Sequence, residues 1–198
     1  VVAEDTTPAE LKALDAGGIR GLRLNLAAEA PGLDPRPRVI RAAAICADFG
    51  WHLQIFAGLA ILQELAGTLE SLPVPVMLDH FAGARAELGP SQSGFSAILR
   101  LMGSGKAYVK VAAPYLASSL PDMSDCAALA HALSDANPER IVWGSNWPHP
   151  TGGTGIPLGG ISPFRKVDDI ANLVRLSEWL DPTAFQACLV DNPARLFF

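Results

Sequence analysis

The 198 residues fall within the roughly 250 to 300 that one hydrophobic core can serve, so a single domain over 1–198 is expected. Hydrophobic residues make up 49% and charged residues 18%, with a mean hydropathy of +0.25, a balance suited to an α/β protein whose strands are covered on both faces. A net charge of -5 with 15 scattered basic residues argues against nucleic acid as a partner, and no apolar run is long enough to span a bilayer.

Val1 to Asp5 lacks the basic and apolar stretches of a secretory leader. Cys46, Cys126 and Cys188 are odd in number and in no metal-like spacing, which fits a reducing cytoplasm.

Along the chain, short β-rich runs alternate with longer helical patterns. After a strand stub at Val1–Ala3, Thr7-Pro8-Ala9-Glu10 reads as a capped helix start running to Ala16 and stopped by Gly17-Gly18. Strand 19–26 precedes helix 38–49, which Gly50 ends; strand 51–56 precedes helix 61–72. Strand 74–80 is followed by helix 95–102, strand 107–112 by helix 122–136, and strand 140–145 by helix 167–180. Asp181-Pro182 opens a last short helix. Five βα units of ~30 residues each suit a TIM barrel or a doubly wound sheet. The Gly-rich fingerprint of the dinucleotide-binding form of the latter is absent.

Side chains alternate across a strand, so parity sorts the candidate site residues. Leu22, Leu24 and Leu26 take the outer parity, which turns Arg23 and Asn25 inward. Gln54, with His52 deeper, is inward on the next strand, and Lys110 and Ala112 are inward on the fourth. By the same alternation His80 is the terminal inward residue of 74–80. Val142, Gly144 and Asn146 share one parity, ahead of the Pro-rigid loop Trp147-Pro148-His149-Pro150. An inward guanidinium such as Arg23 needs an anion, either a substrate carboxylate or a buried carboxylate on a neighbouring strand. Asn25 and Gln54 are candidate polar lining, Tyr115 a candidate rim residue and His149 a candidate contact over the mouth. His52 and His131 read as structural.

Asp79-His80-Phe81-Ala82-Gly83, Val142-Trp143-Gly144-Ser145-Asn146-Trp147-Pro148-His149-Pro150 and the closing Asp191-Asn192-Pro193-Ala194-Arg195-Leu196-Phe197 resemble motifs of the amidohydrolase-2 family. Its nearer branch includes 2-pyrone-4,6-dicarboxylate lactonase and sugar-lactone enzymes. Gly18 to Asn25 and Val109 to Tyr115 are similar to that branch's fourth and seventh strands. The resemblance implies a (β/α)8 TIM barrel, incomplete at the N-terminus, with about strands 3 to 8 present and roughly 70 to 100 residues lying upstream. It implies a lactone hydrolase acting on a small anionic lactone, with His80 stabilising the oxyanion, Asn146 at the position of the usual aspartate base, and substrate contacts from Arg23, Asn25, Gln54, Lys110, Tyr115 and His149.

Three departures from the family pattern stand out. No Asp-x-His-x-His motif is present, Asn146 replaces the aspartate, and Leu116 follows the Pro-Tyr step where many relatives carry arginine. With the histidine pair absent, Gln54 at the fifth-strand position and Asn146 at the eighth, only His80 remains of the family's metal ligands, so no metal or other cofactor is expected. A lactone isomerase, a metal-dependent decarboxylase of the same superfamily and a non-catalytic sugar-acid binder are the alternatives.

Overall fold

Residues 6–27, 32–151 and 163–198 are described by a computed structural model. The stub expected at 1–3 lies outside the described residues. Helix α1 (Pro8–Ala16) opens as read, because the Thr7 hydroxyl accepts from the Glu10 N–H while the Glu10 carboxylate accepts from the Thr7 N–H. Five strands follow: β1 (Gly21–Asn25), β2 (His52–Phe56), β3 (Val76–Leu78), β4 (Ala107–Ala112) and β5 (Ile141–Gly144). All pair in parallel, in the order β1-β2-β3-β4-β5. Between them run α2 (Arg36–Phe49), α3 (Leu59–Ser71), α4 (Phe95–Gly103), α5 (Pro114–Ala117) and α6 (Cys126–Ala136). After β5 come α7 (Asp169–Trp179), α8 (Pro182–Gln186) and α9 (Asn192–Phe197). Because the strand order never reverses, every right-handed crossover leads the same way, and the doubly wound alternative, which needs a reversal, is ruled out for these strands.

The outer parity builds the core. Leu22, Leu53, Ile55, Val76, Leu78, Val109, Val111 and Ile141 pack with Val39 and Cys46 of α2, Leu62 and Leu65 of α3, Ile98 of α4 and Leu129 of α6. Each such Leu, Ile or Val contributes about 1.5 to 3 kcal/mol by leaving water. The inner parity is closed lower down by a smaller cluster of Met77, Tyr108 and Val142, against which Leu196 and Phe197 of α9 pack. Asn192 ties that helix to the sheet: its buried side-chain amide donates to the carbonyls of Pro138 at 2.8 Å and Ile141 at 2.7 Å. The closing motif therefore has a structural use.

Several boundaries differ from the sequence reading. Helix α2 starts at Arg36, two residues early, since a first turn does not need the N–H that Pro37 lacks. Helix α6 starts at Cys126 because the Asp122 carboxylate accepts from both the N–H and hydroxyl of Ser124, a local turn that competes with helix. Strand β3 ends at Leu78, short of His80. Among the described residues no helix is long and apolar enough to cross a membrane, and the three cysteines are free and buried.

His52 sits on the inner face with 5% of its surface exposed and its Nδ1 without a hydrogen-bond partner. Phe197 meets its ring edge-on at 5.2 Å. A Cβ on Gly21 would come within 2.6 Å of that ring, so only glycine fits beside it. Burial, reinforced by Lys110, pushes the imidazole down to about 4 against an opposing bond to the Arg20 backbone. A depressed histidine stabilises the fold above its ordinary value near 6.5, and that contribution is lost as pH falls toward 4, up to about 3 kcal/mol. His52→Gln should flatten this acid loss between about pH 6.5 and 4, read as the shift of the urea midpoint with pH. An unchanged acid profile would show that His52 is not the group that titrates.

Candidate functional site

At the C-terminal ends of the strands, the inward side chains meet around one carboxylate. Asp79, 2% exposed, lies just past β3. Arg23 of β1 reaches its Oδ2 with Nε and Nη2, each at 3.0 Å. Gln54 of β2 donates from Nε2 to Oδ1 at 2.8 Å and Oδ2 at 3.0 Å, and Lys110 of β4 places Nζ 3.1 Å from Oδ1. Burial alone would raise the Asp79 carboxyl; Lys110, Gln54, His80 and Arg23 together overcome it and hold the group below its ordinary value. Two fixed cations face one carboxylate, which leaves one positive charge in excess.

His80 does not take the inward parity that alternation along 74–80 predicts. Met77 belongs to the inner cluster and Val76 and Leu78 to the outer core, so Asp79 takes the next inward place. His80 enters the cleft by another route: the backbone turns left-handed at His80 (φ 51°), Phe81 (φ 53°) and Ala82 (φ 55°), then Gly83 (φ 68°). Each non-glycine residue so placed costs of order 1 to 3 kcal/mol, a strain of the kind that clusters at functional sites. Gly83 is required twice over, by its φ and because a Cβ there would lie 2.5 Å from the Ala57 carbonyl oxygen. His80 is 8% exposed and stands edge-on to Phe56 at 5.3 Å. Burial lowers its pKa, with Lys110 and Arg23 reinforcing, while Asp79 and the Ala112 backbone oppose. Its Nδ1 is buried with no hydrogen-bond partner.

These groups border a cleft of about 540 Å³, which Asn146, Trp147 and Pro148 close on the far side. Of the residues singled out from sequence, Arg23, Gln54, His80, Lys110 and Asn146 line it together. Asn25, Tyr115 and His149 do not. Asn25, at the end of β1, keeps its Oδ1 buried and unpartnered. Tyr115 and His149 stand behind Asn146. The Asn146 amide donates from Nδ2 to the Tyr115 hydroxyl at 3.0 Å, which in turn lies 3.1 Å from His149 Nδ1. His149 Nε2 is 3.2 Å from Asp169 Oδ2, and the Arg165 guanidinium lies 5.4 Å from the centre of the Tyr115 ring. Burial raises the Tyr115 hydroxyl against the opposing effects of Asn146 and Arg165, with Asp169 adding to the rise.

Sequence reasoning gave no role to Asp79 or Asp169. Asp79 had a usable signal, since an anion was required opposite two inward cations. Asp169 had none, as it meets His149 only through the fold.

A metal does not fit the donor set this chain brings to the cleft. The ligand-type side chains there are Asp79 and His80, and both Asp79 oxygens are already engaged. Among the described residues no group of three His, Cys, Asp or Glu side chains is positioned to hold a metal ion. What the arrangement can do chemically is attract an anion, polarise a carbonyl oxygen with cations, and orient a water or hydroxyl through a neutral histidine and an amide.

Residues 1–198 match the family model described as Amidohydrolase. The chain belongs to the amidohydrolase family. It is similar to the 2-pyrone-4,6-dicarboxylate hydrolase of Comamonas testosteroni, 28% identical over 207 residues that take in 100% of this chain and 65% of the relative. It is similar also to the D-galactarolactone isomerase of Agrobacterium fabrum, 32% identical over 206 residues, again 100% of this chain and 65% of the relative. The chain thus spans just under two thirds of the length of these curated relatives. Among solved amidohydrolase structures, a Pseudomonas putida protein named as a candidate 2-pyrone-4,6-dicarboxylic acid hydrolase superposes with a TM-score of 0.78 at 27% identity, covering 100% of this chain and 70% of that one.

Two substitutions test the geometry. Asp79→Asn should cost about 2 to 4 kcal/mol, less than a fully buried pair because Arg23 and Lys110 keep some contact with solvent, as read by denaturant melts. Gly83→Ala should cost at least about 2 kcal/mol, through both strain and the clash with the Ala57 carbonyl. A variant as stable as the parent in either case would show the corresponding geometry to be wrong.

Proposed function

We propose that this chain forms the later strands of a (β/α)8 barrel, β1 to β5 standing as the fourth to eighth, and that it belongs to a hydrolase opening a small carboxylated lactone. The observation that carries the reading is the charge balance of the cleft: Arg23 and Lys110 against Asp79 alone, beside a histidine that burial keeps neutral. The sequential parallel order supports the barrel, and the names of the relatives support the lactone. The free buried thiols fit a reducing, cytoplasmic setting.

In this reading the excess positive charge anchors the substrate carboxylate, chiefly through the Nη edge of Arg23 that its bonds to Asp79 leave open. Water held by Asn146 adds to the ester carbonyl carbon. The oxyanion so formed is stabilised by His80 and the cations, and collapses with cleavage of the ring C–O bond. The departing alkoxide takes up the proton that the water released, and the product is the open hydroxy acid. No step uses a metal.

The amide at 146 favours one second reading. An amide accepts no proton near neutral pH, whereas isomerising a lactone consumes no water and asks less of a base. Measured water incorporation separates the two: oxygen-18 from solvent enters the product only in hydrolysis.

Arg23→Met in the full-length protein should weaken binding of a carboxylated lactone by about 1.5 to 3 kcal/mol, roughly 10-fold to 150-fold, and leave a neutral ester analogue almost unaffected. Calorimetric titration of both ligands checks it. Equal loss for acid and ester, or no loss for either, would remove the anion site.

A further inference from the structure

Behind the cleft, Asn146, Tyr115, His149 and Asp169 form an unbranched chain of hydrogen bonds of 3.0, 3.1 and 3.2 Å. Its direction follows from donor counting. The ionised Asp169 carboxylate only accepts, so His149 carries a proton on Nε2. With that proton placed, Nδ1 of a neutral ring is an acceptor, and the Tyr115 hydroxyl donates to it. The Tyr115 oxygen is then free to accept, and it does so from the Asn146 amide nitrogen. Every proton has a place. The opposite polarity is poorer by one hydrogen bond: with a doubly protonated ring the Tyr115 oxygen would receive both Nδ1–H and the Asn146 N–H, and the Tyr115 proton would have no acceptor in the chain.

We propose that Tyr115, His149 and Asp169 are positioning residues that lock the Asn146 amide with its nitrogen turned away and its carbonyl oxygen toward the cleft, making residue 146 a hydrogen-bond acceptor for the attacking water. This rests on the hydrolytic reading for the identity of the donor, though not for the orientation itself. Tyr115 and His149, singled out from sequence as substrate contacts, thereby act through Asn146. His149 is suited to the task because it is 6% exposed and so held in one pose. Arg165, Lys166, Asp168 and Asp169 are the charged groups around its outer side, and Asp169 is the one bonded to its ring. The lock also explains why a change at 146 cannot be local. A carboxylate there would only accept, Tyr115 would have to donate to it, and His149 would have to donate to Tyr115 from Nδ1 while still donating to Asp169 from Nε2. The ring would become an imidazolium.

Nitrogen-15 NMR of the histidine rings in the full-length protein near neutral pH reads this directly. The present protein should show His149 protonated at Nε2 alone. Asn146→Asp should protonate both ring nitrogens, and adding Tyr115→Phe to that variant, which removes one hydroxyl, should return the ring to a single proton. Asp169→Asn supplies a second handle, since an amide can donate to Nε2 and so should shift part of the ring population to the Nδ1–H tautomer. An Nδ1 proton in the present protein, an unchanged His149 spectrum in Asn146→Asp, or a change that survives the loss of the Tyr115 hydroxyl would each overturn the proposal. The spectra make no use of turnover. Absence of lactone hydrolysis alongside the expected spectra would remove the hydrolase reading and leave the lock in place.

Discussion

A buried carboxylate cannot stay charged without partners, and the requirement organises this molecule. Asp79 draws one side chain from each of three strands, Arg23 from β1, Gln54 from β2 and Lys110 from β4. Desolvating an isolated carboxylate costs several kcal/mol, and the partners offset that cost only at hydrogen-bonding distance. The strand register must therefore bring these three residues within reach of Asp79. It does so with Arg23 directly opposite Gln54 and Gln54 opposite Met77, one inward step below Asp79. A slip of one residue in β1 or β4 would turn Arg23 or Lys110 toward the helices and leave a charge short of its partner in the core. The same contacts that close the inner face also specify the alignment of the sheet.

The arrangement then sets the state of His80. Asp79 is adjacent in sequence and favours a protonated ring, but burial outweighs it, and Lys110 and Arg23 add to burial. A histidine beside an aspartate would ordinarily be expected to gain charge. Here the aspartate is already shared between two cations, so its influence on the ring is diluted. The left-handed turn from His80 to Gly83 completes the effect by carrying the ring inward, where water does not stabilise its charged form. Strain in the backbone and neutrality of the side chain have a common origin in that turn.

Much of this was legible in the sequence, and the limits of legibility are physical. The βα rhythm and the inward parity of Arg23, Gln54 and Lys110 follow from local periodicity, which a parallel sheet preserves. Parity gave the wrong reason for His80 because Val74 to Leu78 is apolar throughout and so does not say which parity faces inward; His80 shares the outer parity of Val76 and Leu78 and reaches the cleft only through the left-handed turn that begins at His80 itself. The helix Pro114–Ala117 was missed because four residues are too few to show a period. Asn25 has the right parity, yet parity says which face a residue takes and not whether it reaches the cleft. Asp169 is 20 residues from the histidine it binds, a contact created by the folding of the chain after β5.

The two polar networks divide the proposed work by their chemistry. The inner one is charged, and Asp79 engages both its oxygens, so it sets the potential of the cleft and has little freedom to reorient. The outer one consists of groups that can each reverse donor and acceptor roles, apart from Asp169, which can only accept. Direction in such a chain is decided at its ends. Asp169 sets one end, and whichever residue stands at 146 sets the other. With an amide at 146 the chain runs without a charged ring; with a carboxylate it demands one. The residue at 146, on the wall of the cleft, is thus coupled to a histidine outside the cleft lining, and the Asp79 network, which shares no hydrogen bond with it, is left as it was. A scaffold built this way can change what position 146 does to a water molecule without disturbing how the neighbouring cations hold an anion.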